Sequence, residues 1–129
     1  MDMQTRDSTT SSLVIPEIVA LPAELDLGNA DSTGQQLRTA FRPGVAVVIA
    51  DLSATTFADS SAVRILLETA DTATASHAEL RVVIPAGQVL RVLQVLGVDG
   101  MLRIFPALDA ALAAPRERGD APRSSCADR

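Results

Sequence analysis

The stretch VAVVIADLSATTFADSSAVRILL, residues 45–67, passes from one hydrophobic period to another, and that change decides the fold. Val45 to Leu52 is rich in β-branched residues and apolar on both faces, the pattern of a central strand covered on both sides or deeply buried on one. From Ser60 or Ser61 to about Ala75, the positions Ala62, Ile65, Leu66, Thr69, Ala70 and Ala73 recur at helical spacing, with Arg64, Glu68 and Asp71 on the other side. That spacing predicts a helix packing one face. Between the two elements lies FADSSAV (57–63), which puts an acid and two consecutive hydroxyls at a strand-to-helix junction.

Working outward, LVIPEIVAL (13–21) is strand material interrupted by Pro16, read as two short strands or one with a break. Asn29 to Phe41 carries Ala30, Leu37 and Phe41 on a helical face and stops at Arg42-Pro43-Gly44; Gly34 weakens that helix without excluding it. LRVVI (80–84) reads as a strand closed by Pro85. Gln88 to Leu96 is a helix with Val89, Leu93 and Leu96 on one face, stopped by Gly97. MLRIF (101–105) reads as a short strand, and Pro106 opens a last helix through ALDAALAA. The order β-α-β-α-β-α-β-α gives an α/β domain with a small, partly parallel sheet. Leu93, Leu96 and Phe105 are expected in the core.

With 129 residues, 47% of them hydrophobic, the chain is the size of one domain and can build one core without disulfides or metals. The domain is placed at 13–114, with a mobile tail at 1–12 and a disordered one at 115–129. The single cysteine, Cys126, leaves no disulfide framework and no Cys/His ligand set. The polar start MDMQTRDSTTSS has no basic and apolar leader pattern, and VAVVIA is too short to span a bilayer, so a cytoplasmic chain is expected. A net charge of −5 with scattered arginines argues against nucleic acid and anionic membranes as partners. Aromatics at 2% leave no platform for stacking bases or sugars.

An acid and hydroxyls at a helix start admit several chemistries. Asp59 or Ser60 can cap the helix, worth about 1 kcal/mol. A serine nucleophile requires a base within hydrogen-bond reach, and the only histidine, His77, falls about a helix length away; FADSSAV also lacks the G-x-S-x-G elbow. Asp51 as a metal-assisted phosphate acceptor lacks a lysine partner and an acidic trio. The remaining reading makes the serine a substrate, whose phosphorylation switches the protein. Ser53, Thr55 and Thr56 are taken as loop hydroxyls bonding local backbone, and His77 as a surface turn residue.

DLSATTFADSSAV (51–63) resembles the signature of the STAS domain in its anti-sigma factor antagonist form, which reads like D-L-S-x-V-x-F-x-D-S-S-G-L. AELDLGNA (23–30) is similar to the family's G-E-L-D segment, and residues 80–114 resemble its closing strand, helix and F-P segment. Three ordered segments cover the whole domain. The resemblance implies a small mixed sheet with helices packed on one side. It implies a binding protein rather than an enzyme, with no cofactor or metal, that binds an anti-sigma factor serine kinase of ATP-binding fold and so releases a sigma factor. Phosphorylation, carried over to Ser60, would break that complex and a serine phosphatase would reset it. The partner surface would include Asp59, Ser61, Ala62, Arg64, Glu24 and Asp26. A phosphate at a helix N-terminus is compatible with the fold, so binding rather than folding takes the penalty.

The chain departs from the pattern at Ala62 and Arg64, where the family has small residues, and at Ala23 in place of glycine. Arg64 would alter which kinase docks, or pair with the phosphate. Two other readings stand beside this one: a STAS scaffold or transport-system subunit working without phosphorylation, and a small hydrolase using Ser60 or Asp51.

Overall fold

The computed structural model describes residues 15–116. Apart from Pro115 and Arg116, the two expected tails and Cys126 lie outside the described residues, as do Leu13 and Val14. In chain order the elements are β1 (Glu17–Ala20), β2 (Glu24–Leu25), α1 (Ala30–Thr39), β3 (Val47–Asp51), β4 (Phe57–Ala58), α2 (Ser60–Ala75), β5 (Glu79–Val83), α3 (Gln88–Leu96), β6 (Ile104–Phe105) and α4 (Leu108–Ala113). A 3₁₀ turn, Asp99–Met101, precedes β6.

Four strands form one sheet in the order β1-β3-β5-β6, and β2 pairs with β4 in a separate two-stranded ribbon. Every pairing among the described residues is parallel, so the mixed character implied by the resemblance is not seen there. Parallel neighbours need crossovers, and the helices supply them: α1 lies between β1 and β3, α2 between β3 and β5, α3 between β5 and β6. The register aligns Ala20 with Asp51 and Asp51 with Val83, and β6 ends with Phe105 opposite Val83. The C-terminal ends of the strands thus share one edge, the edge at which α/β sheets present their sites.

Side chains alternate across this sheet. Val19, Val48, Ala50, Leu80 and Val82 face α1, α2 and α3, burying Leu37, Leu66, Val89 and Leu93 in one continuous core. Val47, Ile49 and Val83 face the other way and meet Ala111 and Leu108 of α4. Three helices therefore cover one face as expected, and the short fourth covers part of the opposite face. Both faces of β3 are shielded, which is why its sequence is apolar without alternation.

The second face also holds a charged cluster. Glu79 is buried beside buried Arg81, whose Nε donates to Glu79 Oε2 at 3.1 Å, and Arg103 and Arg116 close on the same carboxylate. Arg81 Nη1 donates to the Ala111 carbonyl at 2.6 Å, tying α4 to the sheet. Burial of Glu79 and Arg81 is tolerable only because each charge is paired and hydrogen-bonded.

Three expectations for the C-terminal third need revision. The strand expected at 101–105 begins at Ile104, because the chain first turns in 3₁₀ form and leaves Met101 63% exposed. Leu96, expected in the core, is 49% exposed: α3 ends there, and Leu93 alone carries that end of the face inward. Pro106 precedes the capping position Ala107 instead of occupying the first turn of α4. Gly97 does stop α3. It has φ 75°, and the Val98 and Gly97 N–H groups return to the carbonyls of Leu93 and Gln94, a Schellman closure.

Candidate functional site

The junction after β3 is built by local hydrogen bonds. Asp51 Oδ1 accepts from Ser53 N at 2.9 Å and from Ser53 Oγ at 2.6 Å, an Asx turn that ends the strand and leaves Asp51 in a structural role. The chain then runs beside the segment after β1. Thr55 Oγ1 donates to the Pro22 carbonyl at 2.8 Å, and Thr56 N and Oγ1 donate to the Ala23 carbonyl. These hydroxyls bond backbone far away in sequence, whereas local bonding was expected for both; only Ser53 acts locally.

This stitching aligns β2 with β4, placing Glu24 opposite Phe57 and Leu25 opposite Ala58. Leu25 is fully buried and its carbonyl accepts from Asp59 N at 3.3 Å. Asp26 ties down the next loop: its Oδ1 accepts from Gly28 N at 3.0 Å, and its own N–H donates to Asn29 Oδ1. The structure thus brings Glu24 and Asp26 to the start of α2, although more than thirty residues of sequence intervene. A two-residue ribbon has no periodicity long enough to show in sequence.

Asp59 is the N-cap of α2. Its backbone is extended (φ −112°, ψ −168°), and its carboxylate accepts the N–H of Ser61 at 2.8 Å. Ser60, the first helical residue, is exposed, and Ser61 is half-buried. Ala62 is fully buried in the core formed by α2 and the sheet, so it has no surface to offer a partner. The expectation that it contacts one is corrected: the third position of this helix faces inward. Glycine is not required there for access, because an alanine methyl already packs without exposing anything.

Arg64 lies one turn beyond Ser60, exposed and four residues on along α2. Its guanidinium reaches Asp31 Oδ1 of α1 at 3.3 Å and both Glu68 oxygens at 3.4 Å. The hydrogen bond to Asp31, with help from Glu68, raises its pKa further above the ordinary arginine value. Beneath this bridge α1 and α2 approach closely. A Cβ built on Gly34 would lie 3.3 Å from Ile65 Cγ2 and 3.0 Å from Arg38 Nη1, so the glycine buys the close approach.

Features not singled out from sequence surround the site. Leu27, in the loop after β2, is 75% exposed and Phe57 on β4 is 46% exposed, giving two apolar side chains beside the acidic rim. In the two-residue β4 the side chains point to opposite faces, so Ala58 turned inward leaves Phe57 outward, a relation that follows only once the ribbon is seen. Ser60 also stands at the margin of an open groove of about 990 Å³ along α3, where Leu90, Arg91, Val95 and Leu96 form much of the wall.

His77 follows the far end of α2 in an exposed turn, with φ 57°. Sixteen residues of helix put it about 24 Å along the axis from Ser60, so the two cannot form a nucleophile–base pair. Among the described residues no group of three or more His, Cys, Asp or Glu side chains is placed to hold a metal ion, and no helix is long and apolar enough to cross a membrane.

A parallel α/β sheet with this capped junction at its C-terminal edge defines a STAS-type domain, and the comparisons bear this out. The STAS domain family model matches residues 3–111, and the chain belongs to that family. Among solved structures it is similar to an anti-sigma factor antagonist from Mycobacterium paratuberculosis, at 25% identity and TM-score 0.68 over 75% of this chain and 82% of that one. A sulfate transporter family protein from Wolinella succinogenes matches at 20% identity and TM-score 0.68, covering 83% and 91% of the two chains. The Bacillus cell fate determinant SpoIIAA in its phosphorylated form matches at 21% identity and TM-score 0.55, covering 74% and 86%. No curated protein matches the sequence. The last two likenesses concern the fold.

Proposed function

We propose that this protein is a cytoplasmic anti-sigma factor antagonist. It binds an anti-sigma factor serine kinase through the surface around Ser60 and so releases a sigma factor. Transfer of the γ-phosphoryl group of ATP to Ser60 Oγ ends the complex, and a serine phosphatase restores it.

The observation that carries this reading is the division of labour at the α2 start. Asp59 makes the cap and leaves the adjacent Ser60 hydroxyl exposed, without a structural task. A phosphate there meets the positive end of a sixteen-residue helix, which the fold tolerates. Facing a partner, the same charge stands among Asp59, Glu24 and Asp26 and repels an acidic or desolvated contact. Asp59, Ser61, Glu24 and Asp26 form the polar rim of the proposed contact, and Arg64 its lateral edge. The similarity to the mycobacterial antagonist supports the assignment.

Peptide mapping by mass spectrometry of the protein isolated from its native cells tests the switch. Phosphate is expected on Ser60 and not on Ser61, and its absence under every growth condition would remove the switch from the account. A scaffold or transport-linked role has one observation in its favour, the equally high TM-score to the Wolinella protein. In that role Ser60→Asp would affect binding no more than Ser60→Ala does.

A further inference from the structure

Resting on the reading of Ser60 as a phosphorylated residue, we propose that Arg64 is a built-in receptor for that phosphate and leaves Asp31 and Glu68 when it arrives. Ser60 and Arg64 are both exposed and stand at i and i+4 on α2, a spacing that puts their side chains side by side on the helix surface. The order is the favourable one, with the anion N-terminal to the cation. The present Arg64–Glu68 pair has the reverse order.

The bonds Arg64 makes now are weak ones. They measure 3.3–3.4 Å, longer than the 2.7–2.9 Å typical of charge-assisted contacts, and Asp31 is 92% exposed to screening solvent. A phosphoserine offers about −1.5 to −2 charges and three acceptor oxygens on one group, which the planar guanidinium fork can engage at shorter range than the long contacts it now divides between Asp31 and Glu68. The other charged groups near this end of α2 are Asp59, committed to the Ser61 N–H, Glu24 and Asp26 of the paired segment, and Arg91 across the groove margin. Arg64 is therefore the cation that α2 itself carries within one turn of the modified hydroxyl.

The exchange changes the surface in two places. Phosphate appears at Ser60, and the bridge from α2 to Asp31 of α1 opens, leaving that exposed carboxylate without its cation. A partner that meets the unmodified protein over both helices loses a cation contact as well as gaining an anion to repel.

The test uses the full chain with phosphoserine installed at position 60 during translation, so it needs no kinase and remains readable if Ser60 is never modified in cells. Phosphorus NMR follows the phosphate through its second ionisation in the wild-type background, in Arg64→Gln and in Arg64→Lys, with circular dichroism confirming the fold of each. The expected result is that the wild-type phosphate ionises at lower pH than in Arg64→Gln, that Arg64→Lys restores part of the difference, and that the Asp31 carboxyl carbon shifts on phosphorylation only when Arg64 is present. Coincident titrations in wild type and Arg64→Gln overturn the proposal and leave the switch at Ser60 standing.

Discussion

Asp59 accepts the N–H of Ser61 at 2.8 Å, and the residue between them, Ser60, projects into solvent. In the opening motif the acid is thus committed to the helix and the first hydroxyl is left for chemistry. The two roles separate by substitution. Asp59→Ala removes a side-chain cap and should cost about 1 kcal/mol in urea unfolding, whereas Asp59→Asn keeps an acceptor and should cost much less. Ser60→Ala should stay within about 0.5 kcal/mol of wild type, as expected of an exposed side chain without a structural partner.

Gly34 sets the distance between α1 and α2, and a large side chain there must displace Ile65, itself buried. Gly34→Leu should destabilise the fold by about 1–3 kcal/mol through overpacking. Gly34→Ala gains up to about 1 kcal/mol in helix propensity against a tight methyl contact, so the two should nearly cancel. Thermal melts of both variants check the difference.

At the opposite face, Glu79 is the common partner of Arg81, Arg103 and Arg116. Glu79→Ala strands Arg81 as a buried cation and should cost about 3–5 kcal/mol. Its effect on partner binding should be limited to the loss of folded protein, because the cluster lies on the α4 side of the sheet and the Ser60 junction belongs to the face bearing α1, α2 and α3. Binding measured at equal folded concentration distinguishes the two.

Gly97 closes α3 at φ 75°, in the left-handed region. Gly97→Ala should lose about 1 kcal/mol, read as a lower midpoint in chemical denaturation. The groove wall formed by Val95 and Leu96 should loosen with it, seen as faster amide exchange across the last turn of α3.

Much of this was legible in the sequence for a physical reason: α2 is long and amphipathic, so its period, and its start to within a residue, could be read locally, whereas the choice of Asp59 over Ser60 as the cap came from the structure. The same holds for β3, whose two apolar faces announce a covered strand. What escaped depends on contacts distant in sequence or on elements too short to carry a period. The β2–β4 ribbon has two residues a side, and Thr55 and Thr56 act on a carbonyl row thirty-three positions back. The burial of Arg81 follows from pairing with Glu79 and α4, which no local pattern announces. Ala62 was assigned to the partner surface by position in a motif, and helix geometry turns it into the core. The place of α4 on the second face was hidden because an alanine-rich helix of six residues shows little preference for either side.

The measurement that bears most directly on the account is affinity capture from native lysate with wild type, Ser60→Ala and Ser60→Asp as baits, each shown folded by circular dichroism. The account predicts that wild type and Ser60→Ala retain an ATP-binding kinase-like protein and that Ser60→Asp loses it. Retention of the same partner by all three would contradict it, and Ser60 would then be an ordinary first-turn residue of a constitutive scaffold.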